Sequence, residues 1–403
     1  MDLGYSAEEE RFRARVRAWL AAHLPRPAER DDPARLRRWH RDLHAAGFIG
    51  GAWPKEYGGG GLTAIEQAIL GEEMAHADAP SAAGGMGVLW VGPAIIRFGT
   101  EAQKRRFVPP ILTGDEQWCT GYSEPNAGSD LASLRTRAVR QGDVYVVNGQ
   151  KIWTTLAHAA DWCFLLARTA SDGPRHAGLS VLVVELRSAG IEVRPLRQMT
   201  GDAEFNEVFF QDVRVPAAQR LGEEGQGWTI VRSALVDERA GLATAIRVDR
   251  VLGELIATVR GVGLAADPLW RQRVAGLAID CEIVRRANLR NLSEQLHGRL
   301  NPGLASALKL FTSELHQRLS EAGHAALGPT GNVLPGGATT PERPSWTYRM
   351  LYDRCLTIAG GTSEVQRNVI AERVLGLPRE RGAVPHPAEG PERTAPATLR
   401  GRA

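Results

Sequence analysis

Thr120-Gly-Tyr-Ser-Glu-Pro-Asn-Ala-Gly-Ser-Asp130 is followed, after one strand-like segment, by Asn148-Gly-Gln-Lys-Ile-Trp-Thr-Thr155. The first block is made of small residues and hydroxyls. Gly121 and Gly128 permit close backbone approach, and Thr120, Ser123 and Ser129 offer donors for a ring carbonyl or a phosphate. Trp153 and Thr155 add a flat apolar surface beside another hydroxyl. A bound isoalloxazine needs an apolar wall for its rings and donors at its polar edge. Taken singly, each block reads as a polar turn or a core Trp; at this spacing the two together point to a flavin.

Around these blocks the hydrophobic period is that of sheet. Short apolar and β-branched runs at Val144–Val147, Cys163–Ala167, Leu179–Leu186 and Val208–Phe210 are separated by Gly, Asn and Asp. On the amino-terminal side the spacing is helical: Ser6 and Glu9 make a capping box, and Phe12, Val16, Trp19 and Leu20 follow at helical steps. A breaker-rich loop, Gly51-Ala-Trp-Pro-Lys-Glu-Tyr-Gly-Gly-Gly-Gly61, interrupts that region. Long helical patterns return after Gly227, broken near Gly261–Pro268, Gly298–Pro302 and Gly328–Pro344. The expected class is α+β: an amino-terminal helical domain over 1–115, a middle β domain over 116–225, a helical bundle over 226–381 and a flexible tail over 382–403. There is no βαβ rhythm and no Gly-x-Gly-x-x-Gly turn of a Rossmann domain.

Composition narrows the class further. A chain of 403 residues exceeds one core, and 43% hydrophobic with 24% charged residues is ordinary globular composition. The charge of +3, from 49 basic and 46 acidic residues, is too small an excess to suggest nucleic-acid binding. Four scattered cysteines lack zinc or dithiol spacing, and ten histidines lack ligand spacing, so no metal is expected. Neither a secretory start nor a membrane-spanning run is visible, which points to a cytoplasmic protein.

The two blocks strongly resemble the flavin-binding signature of acyl-CoA dehydrogenases. Gly51–Gly61 resembles that family's Gly-Trp-Pro-x-x-Tyr-Gly-Gly loop, and Ala359-Gly-Gly-Thr-Ser-Glu-Val-Gln-Arg-Asn368 resembles its carboxy-terminal flavin motif. The resemblance runs from about residue 5 to 380. It implies FAD contacted by Thr120, Tyr122, Ser123, Gly128, Ser129, Trp153 and Thr155, with Gly361, Thr362 and Glu364 on the carboxy-terminal side. Ser129 would also lie near the thioester ligand. Family members are dimers or tetramers; here the segment after Val259 lacks the family's Arg-x-x-Phe-Gly pattern, so inter-subunit contacts are not assigned.

The base departs from the commoner family pattern. Many members place Glu immediately before the Gly-Thr of the carboxy-terminal motif, where this chain has Gly360. A second group, including isovaleryl-type enzymes, uses a Glu before an Arg on an earlier helix, which corresponds to Glu238-Arg239. Glu238 falls in the stripe of Val231, Leu235, Leu242 and Ile246, and a carboxylate on an apolar face is pushed up from about 4.3 toward neutrality, as suits a general base. The plainer reading of Glu238 is a helix carboxylate paired with a neighbour. Arg239 stays protonated and would shape the substrate site, as would a backbone N–H near Gly360.

The implied reaction removes the α proton of an acyl-CoA and passes the β hydride to flavin, giving a trans-2-enoyl-CoA. An electron-transferring flavoprotein or similar acceptor would reoxidise it, and a homodimer, homotetramer or hetero-oligomer would form. Two rivals stay open: a flavin oxidase or monooxygenase on the same fold, and a non-catalytic partner subunit.

Overall fold

The computed structural model describes residues 5–30, 32–81, 85–237, 242–299, 301–332 and 345–378. Helices come first: α1 (Ala7–His23), α2 (Pro33–Ala45), α3 (Ala64–His76), α4 (Gly92–Phe98) and α5 (Glu101–Thr113). Ser6 and Glu9 cap α1 reciprocally, and the helix buries Phe12, Val16 and Leu20, as their spacing requires. Trp53, from the Gly-rich loop, packs where a Cβ on Gly92 would otherwise sit, 2.0 Å from its ring. That contact makes glycine obligatory at the start of α4.

The middle region is an eight-stranded sheet ordered β6-β7-β3-β2-β4-β5-β8, with β1 added parallel to β4. Its strands are β1 (Trp118–Gly121), β2 (Arg137–Gln141), β3 (Val144–Lys151), β4 (Trp162–Arg168), β5 (Leu179–Glu185), β6 (Ile191–Leu196), β7 (Phe205–Pro216) and β8 (Arg220–Leu221). Trp162, Phe164 and Leu166 of β4 join the core shared with the amino-terminal helices, while Cys163, Leu165 and Ala167 join a second core on the other face. Burial on both faces explains why β4 and β5 read as unbroken apolar runs.

Helices α6 (Gly227–Asp237), α7 (Leu242–Gly261), α8 (Pro268–Leu296) and α9 (Pro302–Ala326) follow, then the short α10 (Trp346–Tyr352) and α11 (Ser363–Val369). A third core, with Val248, Leu255, Cys281, Val284, Leu315 and Leu319, holds the bundle together. The four cysteines are unpaired, three of them buried. Asp78, in the left-handed region (φ 50°) just after α3, ties the bundle to the first domain. Its carboxylate accepts from Arg30 at 3.1 Å and from Arg250 on α7, which lies 172 residues further along the chain. Among the described residues no helix is long and apolar enough to cross a membrane, and no acidic, His or Cys cluster could hold a metal.

Candidate functional site

Strand β1 delivers Thr120 and Gly121 beside Phe164 and Leu165 of β4. Gly121 serves packing rather than ligand approach, since a Cβ there would lie 2.9 Å from Cys163 Sγ and 3.1 Å from Leu165 Cδ1. Gly128 differs: a Cβ would meet nothing within 4 Å, and Gly128, Ser129 and Asp130 are all exposed. Thr120, Tyr122, Ser123 and Thr155 are part-buried, with the Tyr122 ring edge-on to Phe164 at 6.2 Å.

The two sequence blocks are joined by a buried ion pair. Lys151 Nζ donates to Glu124 Oε1 and to the Tyr122 carbonyl, each at 3.0 Å, and Lys151 is fully buried. Glu124 also accepts from the backbone N–H of Arg135 (2.7 Å) and Thr136 (2.8 Å). Burial pushes the Lys151 ammonium down to about 8, partly opposed by Glu124. Burial pushes the Glu124 carboxyl up, but the Lys151 charge and the bonds from Thr136 and Arg135 outweigh it and hold it below the ordinary value. Ile152 N donates to the Ser123 carbonyl at 2.9 Å, a second stitch between the blocks.

Beyond Lys151 the chain kinks. Trp153 (φ 60°) and Leu156 (φ 54°) both take left-handed conformations that side chains other than glycine rarely adopt. Asn206, fully buried on β7, holds the kink: its amide nitrogen donates to the carbonyls of Thr154 (2.9 Å) and Glu204 (3.0 Å), and its oxygen meets His158 Nδ1 at 3.0 Å. The backbone N–H of Thr154 and Leu156 donate to the carbonyls of Asn206 and Glu204. The result is a Trp153 indole 58% exposed while Thr154 beside it is buried.

On the carboxy-terminal side Gly360 (φ 65°) and Gly361 (φ 93°) form a turn that only glycine makes freely. Thr362 caps α11 by accepting from Val365 N, and Glu364 is exposed. The turn is anchored to α9 by Lys309, which donates to the Gly361 carbonyl at 2.5 Å, and to α11 by Gln366, which donates to the Gly360 carbonyl at 3.0 Å. Tyr348 of α10 donates to Asp202 at 2.6 Å, so the bundle that carries this turn is fastened to the loop that also supports the Trp153 kink. Burial and the nearby Asp202 push Glu204 up, and burial pushes Asp353, next to α10, up to about 6. Glu238 and Arg239 lie outside the described residues.

Lys151, Glu124 and Asn206 were absent from the sequence-derived site. Period-two alternation carries a signal for two of them: Lys151 continues the inward series of Tyr145 and Val147, and Asn206 precedes Val208 and Phe210 on the inner face of β7.

These residues fit a flat, electron-accepting ring. The exposed indole of Trp153, the open space where a Cβ on Gly128 would stand and the Gly360–Gly361 turn of positive φ are each accessible to a ligand with a flat face and polar edges.

Sequence profiles described as the acyl-CoA dehydrogenase N-terminal, middle and C-terminal domains match residues 6–115, 119–213 and 225–375. Acyl-CoA dehydrogenase IpdE1 of Mycobacterium tuberculosis (strain ATCC 25618 / H37Rv) is 42% identical over 384 residues, 92% of this chain and 98% of the relative. Among solved structures, the Tcur3481-Tcur3483 steroid ACAD superposes with a TM-score of 0.83 at 33% identity, over 94% of this chain and 100% of that one. The ChsE4-ChsE5 complex from Mycobacterium tuberculosis gives 0.81 at 35% identity, over 94% and 100%. With all three domains matched in order and relatives alike over nearly their whole length, this chain belongs to the acyl-CoA dehydrogenase family of flavin-dependent oxidoreductases.

Proposed function

We propose that the chain catalyses α,β-dehydrogenation of an acyl-CoA thioester to the trans-2-enoyl-CoA. The observation that carries this reading is the exposed Trp153 indole on a kink held by Asn206, two residues beyond Lys151, which its pair with Glu124 ties to the Thr120–Asp130 loop. Thr120, Tyr122, Ser123, Gly128, Ser129, Trp153 and Thr155 would hold FAD from one side, and Gly361, Thr362 and Glu364 from the other. FAD supplies the hydride acceptor when bound. Glu238 takes the α proton, Arg239 shapes the substrate site, and Ser129 with the backbone N–H near Gly360 orients the thioester and supports the charge that develops on its carbonyl.

Similarity to a steroid ACAD favours a bulky, ring-bearing acyl group over a straight chain. Exposed Leu269, Ile279 and Ile283 along α8 favour burial against a second chain, its own copy or another family member. An electron-transferring flavoprotein would take the electrons.

Glu238→Gln tests the reading. The variant should keep its fold and yellow colour and lose acyl-CoA-dependent flavin bleaching by about 10²–10⁴. Bleaching at the wild-type rate would refute Glu238 as base. Protein that stays colourless with added FAD and with candidate partner chains would refute the flavoprotein reading altogether. A steroid-side-chain acyl-CoA should bleach the wild type faster than palmitoyl-CoA.

A further inference from the structure

Three helices of the bundle bring basic side chains to one place. On α7, Arg247, Glu254 and Thr258 recur at whole turns and share one stripe of the helix. That stripe faces α10: Trp346 Nε1 donates to Thr258 Oγ1 at 2.9 Å, and Arg349 Nη2 meets Glu254 Oε2 at 2.6 Å. The Arg349 side chain is 9% exposed, and its guanidinium lies over the Trp346 ring, 5.1 Å from the centroid. Its other terminal nitrogen, Nη1, is buried and has no hydrogen-bond partner. A buried donor on a cation is costly to leave unbonded. From α9, the part-buried His316 is pushed down to about 4, by burial first and then by the charges of Arg349 and Arg247. Both guanidiniums thus act on one imidazole, which stays neutral at pH 7.

The carboxylates nearby are already engaged. Arg250, one turn beyond Arg247, donates to Asp78, as does Arg30, and stands 3.8 Å from the second Glu254 oxygen. Burial raises Asp353, directly after α10, and a bond from Ser320 with the charges of Arg349 and Arg354 opposes that rise. Arg247 is exposed and, among the described residues, has neither an ion pair nor a hydrogen bond. Its charge is the one in this cluster with no counter-charge.

We propose that Arg247, His316 and Arg349 form a binding site for a phosphate-class oxyanion between α7, α9 and α10, made of none of the residues assigned to FAD and independent of the reaction proposed above. Such an anion supplies what the cluster lacks: an acceptor for Arg349 Nη1 and a counter-charge for Arg247. Guanidinium donors match the oxygens of phosphate, and the neutral imidazole adds an N–H between them. Donors from three helices approach from three directions. A tetrahedral oxyanion offers an oxygen to each, whereas a carboxylate has two oxygens in one plane. The same chemistry is found in free phosphate and in the phosphorylated nucleotide end of a CoA ligand.

The test titrates the FAD-loaded full chain with inorganic phosphate at pH 7 in a calorimeter, without substrate and with chloride adjusted to hold ionic strength constant. Wild type should show a saturable site with a Kd near or below about 1 mM. Arg247→Gln, a change at an exposed residue that leaves the fold intact, should weaken it about tenfold or more, the worth of one charge-assisted bond. Arg349→Lys keeps the charge that holds Glu254 but loses the second edge of the fork, and should weaken it by a similar factor. A parallel titration uses adenosine 3′,5′-bisphosphate. Tighter binding than phosphate, lost in Arg247→Gln, assigns the site to the nucleotide end of a CoA ligand; binding no tighter than phosphate assigns it to the free anion. Absence of saturable heat up to about 10 mM phosphate would overturn the proposal. So would a Kd unchanged in both variants, or release of FAD in step with phosphate binding, which would place the anion in the flavin site instead.

Discussion

Replacing Lys151 by Met should destabilise the middle domain by about 3 kcal/mol. The ammonium is fully buried and its partner Glu124 has a side chain 9% exposed, so Met leaves a buried carboxylate without its cation. Removing one partner of such a pair costs about 3–5 kcal/mol. Glu124 keeps two backbone donors, at 2.7 and 2.8 Å, which places the cost at the lower end. Loss of the donor to the Tyr122 carbonyl adds about 1 kcal/mol, and relief of the lysine's own burial offsets a similar amount. Urea unfolding at pH 7 with saturating FAD, followed through the intrinsic fluorescence of the ten tryptophans, Trp118 of β1 and Trp162 of β4 among them, gives the shift in midpoint. Adding Glu124→Gln to Lys151→Met should recover at least about 1 kcal/mol, because both charges are then gone. The pH dependence has a defined sign. Folded Lys151 releases its proton near pH 8 and the unfolded chain near 10.4, so the unfolded state binds more protons between them. Wild-type stability therefore gains from this group as pH rises through that window, and Lys151→Met lacks the gain. An unfolding free energy within about 0.5 kcal/mol of wild type with FAD retained would refute this reasoning.

Asn206→Leu keeps the volume but frees the carbonyls of Thr154 and Glu204; with the strained Trp153 kink released, the FAD Kd should rise about tenfold or more, read by titrating apoprotein with FAD. An unchanged Kd would remove Asn206 from the site. Combining Gly360→Glu with Glu238→Gln should restore only part of the bleaching rate. A Cβ at 360 comes 3.9 Å from Lys309 Cε, so the new carboxylate would pair with that ammonium, be held below its usual value, and shift the acidic limb of the pH–rate profile down from wild type. Recovery with an unshifted profile would contradict that pairing. Truncation before Gly382 should leave FAD content and assembly size unchanged, as absorbance and light scattering would report, and loss of either would make the Pro-rich segment an assembly element.

The order of helices, sheet and helices was legible because each region has its own hydrophobic period. Strands β4 and β5 announced themselves as continuous apolar runs. Strands β2 and β6 did not: β2 buries only Ala138, and β6 carries Arg194 and Pro195 with half its residues exposed, so neither shows a clean apolar face. Strand β1 is four residues long, too short for any period to register. At the proposed site, aromatic and hydroxyl residues were singled out because their chemistry matches a ring. Lys151 and Asn206 were passed over because a polar residue advertises solvent, and its burial depends on partners, Glu124 and the Thr154 carbonyl, that sequence spacing alone does not bring near. Gly121 was read as room for a ligand, whereas its missing Cβ makes room for Cys163 and Leu165 of the neighbouring strand.

The two arginines on Asp78 emerge from the ribosome at very different times. Arg30 precedes it by 48 residues and is ready as soon as α3 is made, whereas Arg250 follows by 172. At roughly 5–20 residues per second, about 10–35 s pass before α7 can close the junction. Through that interval the nascent amino-terminal domain holds a carboxylate paired by Arg30 alone and an uncovered helical face while the whole sheet is still being synthesised, so the period of greatest exposure to chaperones and proteases is set by the length of the middle domain.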